Sequence, residues 1–299
     1  MVMKSRSWGV FWYLLLCFGI AWGSWQIGIN AGLSVMSPAF QLYLLPGAFA
    51  PAIAAILVRK WITREGFADA GLGLHPRGWP YYLVAWLLPL FVVGAIVIEA
   101  WLLGLATPDF ALSKVLAGEA GERARQMAIS LSSHPVLPKL PLLISETLLF
   151  ALITTPILWG EEFGWRGYLQ QRLLVDRPIA SAIVIGTIWG VWHFPLTLRG
   201  YNYPDHPYVG SALFVVMAIF FAYIFGWIFR RSESIWASSL AHAATNGVGG
   251  TLTALWFAGV SPTLVSYTGF LAAPPILAVC ACILLLERRD IRKLSVAES

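Results

Sequence analysis

Eight stretches of this chain each approach the ~20 predominantly apolar residues that a helix needs to cross a bilayer. They run from Trp8 to Ile29, Phe40 to Val58, Tyr81 to Leu105, Leu140 to Gly160, Ala180 to Leu198, Ser211 to Phe229, Ser234 to Gly250 and Val265 to Leu286. The runs are continuous rather than alternating, which points to helices and not to a barrel. The chain is therefore read as an all-α polytopic membrane protein with about eight transmembrane helices. Composition supports this: 58% of the residues are hydrophobic and 12% charged, too apolar a balance for a soluble domain to hide.

The first run follows Lys4 and Arg6, the layout of a secretory signal. Its apolar core exceeds the ~7 to 15 residues of such a signal and no small-x-small cleavage site follows, so it is read as an uncleaved span. Eight spans with the N-terminus inside would leave Lys114, Arg123, Arg125, Lys139 and Arg199 outside and every other Lys and Arg inside. That asymmetry predicts both termini in the cytoplasm and makes the net charge of +5 mainly a topology signal. Membrane lipid is the expected surrounding partner, and no nucleic-acid surface is expected.

Cys17, Cys280 and Cys282 lie within spans, form no Cys-x-x-Cys pair, and are read as packing residues. No low-complexity linker divides the chain, so residues 1–299 are taken as a single transmembrane domain. In the longest loop, Ala106 to Lys139, Leu112, Leu116, Met127 and Ile129 alternate with charged residues. They suggest an amphipathic helix weakened by Gly118 and Gly121, with a plain exposed loop as the alternative.

Ionisable side chains within spans are the informative exceptions, since each costs ~2.5 to 3.5 kcal/mol on insertion. Glu161 and Glu162 end the fourth run and Arg166 follows. At ~100° per residue, Glu162 and Arg166 lie about 40° apart and can pair, whereas Glu161 points about 140° away from Arg166. Either the three form a buried ion network, or Glu161 is left to find a partner elsewhere.

Among the five histidines, His75 and His134 precede prolines in loops and His206 sits in an Asp-His-Pro turn. His193 and His242 fall within spans. His193 follows Trp189 at helical spacing, and Asn246 follows His242 by four residues, so imidazole and carboxamide share a face. Each histidine alone is also consistent with an ordinary interhelical hydrogen bond. Glu161 and His193 are symmetric about residue 177, beside the polar Asp176-Arg177-Pro178 stretch where a hairpin should turn. Both would then lie ~24 Å from that turn. Gly160 with Gly164, Gly186 with Gly190, and Ala237 with Ala241 have the small-xxx-small spacing that lets helices approach.

Glu161-Glu162-Phe-Gly-Trp-Arg166 resembles the Glu-Glu-x-x-x-Arg motif of the CAAX-protease and bacteriocin-processing (Abi, or CPBP) family of intramembrane proteases. Trp189-Gly-Val-Trp-His193 is similar to that family's Phe-x-x-x-His motif, and His242-Ala-Ala-Thr-Asn246 to its His-x-x-x-Asn motif. All three occur in order within a helical core from about residue 140 to 250. Trp189 replaces the usual Phe, a departure expected to affect local packing alone. The resemblance implies peptide-bond hydrolysis at the membrane. Glu161 would act as general base on a water that His193 helps to hold, with His242 and Asn246 donating to the oxyanion. Glu162 and Arg166 would orient their helix.

Two histidines and a glutamate, here Glu161, His193 and His242, are also a known catalytic zinc set. The metal-free reading is preferred because the short His-Glu-x-x-His pair is missing and because zinc would draw Glu161 away from its base role. A proton- or cation-coupled transporter built on the same residues is a further alternative, though no repeated half with matching broken helices is evident. So is a scaffold that keeps the motif residues for packing. The expected substrate is a peptide or a lipidated protein, and the motifs do not separate prenylated CAAX-type C-termini from unprenylated ones.

Overall fold

The computed structural model describes residues 2–118, 129 and 139–297. Each of the eight expected stretches contains a helix, and the described residues form no strand. The long helices are α1 (Val2–Asn30), α2 (Gln41–Leu57, continued by a π-turn over Val58–Ile62), α3 (Trp79–Leu102), α5 (Lys139–Gly164, continued by a π-turn over Trp165–Leu169), α8 (Pro207–Ser232) and α11 (Ala273–Ala297). A four-residue helix, α4 (Ser113–Leu116), precedes α5. Most of the amphipathic helix expected between Ala106 and Lys139 lies outside the described residues. Of its apolar positions, Leu112 is buried, and Ile129 is exposed.

Six of these helical segments are long and apolar enough to cross a membrane, so the chain is an integral membrane protein. The remaining two expected spans depart from regularity. The fifth, α6 (Pro178–Trp192), has 15 residues and so a length of ~22 Å, short of a ~30 Å hydrocarbon core. It stops at Trp192, six residues before the expected limit, because Pro195 cannot continue the hydrogen-bond ladder. A short α7 (Phe194–Thr197) follows. The seventh is split into α9 (Ile235–Ala244) and α10 (Thr251–Trp256) by a π-turn over Thr245–Gly250. The eighth begins later than Val265. Residues 257–269 are loop, and α11 starts at Ala273 with Pro274 and Pro275 in its first turn, where proline's missing N–H is tolerated.

The helices gather around α8, whose apolar window is 72% buried, whereas none of the other five candidate spans exceeds 39%. On it pack α6, α9 and α11, while α2 lies between α1 and α5, and α9 fills the angle between α5, α3 and α8. Small residues set the closest approaches, as their spacing suggested. A Cβ built on Gly186 would fall 2.3 Å from Ile219 Cα, and one on Gly164 would fall 2.3 Å from Pro51 Cβ. Any larger residue would push α6 from α8, or α5 from α2.

The connection between α2 and α3 is clamped to the end of α5. Arg59, fully buried, donates to the carbonyl of Gly66 (2.5 Å), to Asp69 Oδ1 (2.7 Å) and to the carbonyl of Gly167 (2.8 Å). Arg172 reaches the same loop through Glu65 (2.5 Å) and Asp69 (3.4 Å). Partial burial pushes the Asp69 carboxyl up, but the hydrogen bond and charge of Arg59, helped by Arg172, outweigh it and hold the carboxyl below the usual range. A lowered folded-state pKa contributes stability that is present above the unfolded value and is lost as pH falls through the folded one. Thermal unfolding in detergent should therefore show wild-type stability declining below about pH 4. Asp69→Asn should lack that acid-dependent component and be less stable at neutral pH by about 1 kcal/mol, the carboxylate being half-exposed.

Candidate active site

Three helices bring the motif residues together. Helix α5 carries Glu161 and Glu162 in its last turn, and consecutive helical positions diverge, so the two carboxylates face different neighbours. Glu161 faces α6, where Trp189 Nε1–H donates to its Oε2 at 2.9 Å. Glu162 faces α9. Its Oε1 accepts from Arg166 at 2.8 Å and meets His242 Nδ1 at 3.0 Å.

The expected Glu162–Arg166 pair is thus present, and the geometric division of the two glutamates holds. What sequence reasoning missed is the second partner of Glu162. A residue 80 positions away leaves no periodic trace along the chain. Both Glu162 and Arg166 are almost fully buried. The guanidinium also lies over the ring of Trp189 at 5.0 Å and that of Phe225 at 5.2 Å, so aromatic faces from α6 and α8 enclose the cation.

His193 owes its setting to the end of α6. Its backbone N–H bonds the Gly190 carbonyl, tightening the last turn, and its Nδ1 lies 2.9 Å from the carbonyl of Trp189. A carbonyl can only accept, so Nδ1 carries a proton, and in the neutral ring Nε2 is the acceptor. Trp192 and Phe214 pack edge-on against the ring at 4.7 and 4.6 Å. Helix α6 is held at this end by Trp22 Nε1–H, which donates to the Trp192 carbonyl at 2.9 Å. That contribution from α1 had no distinguishing sequence mark, because Trp22 is one apolar residue among many.

Helix α9 starts at Ser234, whose Oγ accepts the N–H of Trp236 and is tied to the α2–α3 loop by a hydrogen bond to the Gly73 carbonyl at 2.5 Å. His242 follows two turns later. The π-turn after it holds Asn246 and three glycines, and at Gly249 a Cβ would strike the ring of Tyr267 at 2.3 Å. Asn246 is exposed, and the space it faces is a cavity of about 810 Å³ lined also by Glu161, Trp189, His193 and His242. All four residues expected to be catalytic therefore reach one cavity. Trp25, Trp192, Phe214 and Tyr267 add aromatic surface to a wall that is largely apolar.

The far wall is the 257–268 loop, whose last four residues, from Val265, were expected to begin a span. It is clasped to the loop before α8: Tyr203 donates to the Thr268 carbonyl at 2.8 Å, and Asp205 accepts from Thr263 at 2.8 Å and from Ser261.

Among the described residues, no three His, Cys, Asp or Glu side chains converge as a metal-holding group. Glu161, His193 and His242 line the cavity without forming one coordination sphere, and one Glu161 oxygen is already taken by an indole N–H. The donors as placed do not converge on the tetrahedral sphere of the zinc set. Trp189, expected to matter for packing alone, makes a direct bond to Glu161 that phenylalanine could not make.

Residues 141–248 match the family model described as Rce1-like, type II CAAX prenyl endopeptidase Rce1-like. The matched stretch is about a third of the chain, and it contains all three motifs. It bears out the resemblance to the CAAX-protease family and, with it, assignment to the peptidases. No curated protein matches the chain.

Breaking a buried pair by removing one partner costs about 3 to 5 kcal/mol. Arg166→Met, which keeps the bulk and removes the cation, should lower the thermal midpoint in detergent accordingly. Arg166→Lys should recover part of the loss, because it restores charge without the planar fork.

Proposed function

We propose that the site hydrolyses a peptide bond presented at the membrane, with Glu161 as general base and without a resident metal. The observation that carries this reading is the convergence on one cavity of a carboxylate with a free oxygen, an imidazole acceptor, and a second imidazole beside a carboxamide. The family match supports the peptidase chemistry.

In this mechanism Oε1 of Glu161, the oxygen not held by Trp189, takes a proton from a water whose other hydrogen is accepted by His193 Nε2. The water oxygen bonds to the scissile carbonyl carbon, and the negative charge moves to the carbonyl oxygen. Asn246 Nδ2–H and His242 Nε2–H stabilise that oxyanion. Glu161 then passes its proton to the leaving nitrogen as the C–N bond breaks.

The donor role of His242 requires the imidazolium, since its Nδ1–H is given to Glu162. That state is electrically economical. Two carboxylates, Glu161 and Glu162, are balanced by Arg166 and a protonated His242, leaving the buried cluster neutral. Glu162 therefore does more than orient its helix: it holds the proton arrangement of the oxyanion donor. The largely apolar cavity suits an apolar peptide segment or a lipidated one, and both classes are proposed as substrates.

The test is cleavage of prenylated and unprenylated peptides by purified protein. Glu161→Gln should abolish turnover while leaving the thermal midpoint close to wild type, and retention of full activity by this variant would overturn the reading. Asn246→Ala should lower kcat by about 100- to 1000-fold, the effect of deleting one oxyanion donor. A chelator should leave activity unchanged; loss that zinc restores would replace the metal-free mechanism.

A further inference from the structure

Trp189 touches more of the site than any residue the mechanism uses. Its indole N–H bonds Glu161 Oε2 at 2.9 Å, and its carbonyl fixes the His193 tautomer. Its ring face lies 5.0 Å from the Arg166 guanidinium carbon and its edge meets the His242 ring at 5.2 Å. The carbonyl contact would survive any substitution, and an aromatic ring of another kind would keep a face for Arg166. The N–H bond to Glu161 alone depends on tryptophan.

We propose that the Trp189 indole N–H is a positioning group for the catalytic carboxylate, locking Glu161 so that Oε2 is occupied and Oε1 alone is presented to the attacking water. This rests on Glu161 being the general base. The physical case is directional. A glutamate has three rotatable bonds, and an unrestrained carboxylate beside Arg166 would be drawn toward that cation. Arg166 is already within the Coulomb field of both carboxylates, yet its NH1 bonds Glu162 and not Glu161. Trp189 touches both, presenting its ring face to the cation and its N–H to Glu161. The indole thus does two things with one side chain: its face offers Arg166 a second attractive contact besides Glu162, and its N–H supplies Glu161 with a charge-assisted hydrogen bond from the opposite helix. The carboxylate stays unpaired by any cation and keeps one oxygen available as a base.

Because the N–H acts on the reactive oxygen and not on the substrate, its loss should appear in kcat and not in KM. Trp189→Phe removes the N–H and part of the ring. Replacing Trp189 by its benzothienyl isostere, in which sulfur takes the place of N–H, removes the donor and leaves the shape. Both should lower kcat by about 10- to 100-fold, the worth of one charge-assisted bond, with KM within about twofold and the thermal midpoint little changed.

An isostere with wild-type kcat overturns the proposal even where Trp189→Phe is impaired, since ring size would then be the cause. A collapse of the isostere's thermal midpoint overturns it too, by making the bond structural. Glu161→Gln is assayed alongside. If it is inactive while the isostere is normal, the positioning role fails and the general-base reading stands; if it remains active, the general-base reading itself fails.

Discussion

A fully buried carboxylate, Glu162, is the point around which the helices of the core are arranged. Left alone at such depth it would carry an uncompensated charge, so both of its partners are obligatory. Arg166 comes from the same stretch of chain and His242 from α9, which cannot slide or rotate on α5 without abandoning the contact. Arg166 in turn is stacked against the faces of Trp189 on α6 and Phe225 on α8. Four helices are thereby referenced to one side chain that lies outside the reacting atoms. The neighbouring Glu161 is free to be reactive because the structural obligation falls on Glu162.

The helices that carry the proposed chemistry all depart from a regular membrane span. Helix α6 is short and ends at His193; α9 gives way to a π-turn after His242; and α5 does the same after Glu162. The regular spans α1, α3 and α11 supply none of the four proposed catalytic side chains. Irregular backbone at membrane depth is tolerated where it lines a cavity or is buried in protein, and both conditions hold here. The polar residues responsible, among them Ser238, Ser239, His242 and Thr245, are buried, and they dilute the apolarity by which α9 would register as a span.

Much of this was visible in the sequence, and the divide between what was and what was not has a physical origin. Apolar runs located the helices because lipid selects for length and hydrophobicity together. Helical periodicity separated Glu162 from Glu161 because the Glu162–Arg166 pair is local. Apolarity could not tell a helix from a cavity wall. Leu196 and Val265 are as hydrophobic as any span residue, yet they sit beyond a helix end and in a loop, lining the cavity. Pro195 and the Pro274-Pro275 pair were the available warnings. Contacts between distant elements, such as Glu162 with His242, Trp189 with Glu161, and Arg59 with the Gly167 carbonyl, have no periodic signature. Arg59 is the sharpest case: as one basic residue among many it counted toward topology, and in the fold it is a buried brace.

Two of the three π-turns, those beside the candidate site, also bear on how this chain can change in length. A π-turn closes on the fifth residue where an α-turn closes on the fourth, so residues 165–169 and 245–250 behave like one-residue insertions that a helix has absorbed. Deleting one residue from either would restore the ordinary ladder and swing everything beyond it by ~100°. In the first turn that would displace the Gly167 carbonyl from Arg59; in the second it would carry Asn246 or the Tyr267-facing Gly249 out of place. These short stretches are fixed in residue count as firmly as the motif side chains beside them are fixed in kind.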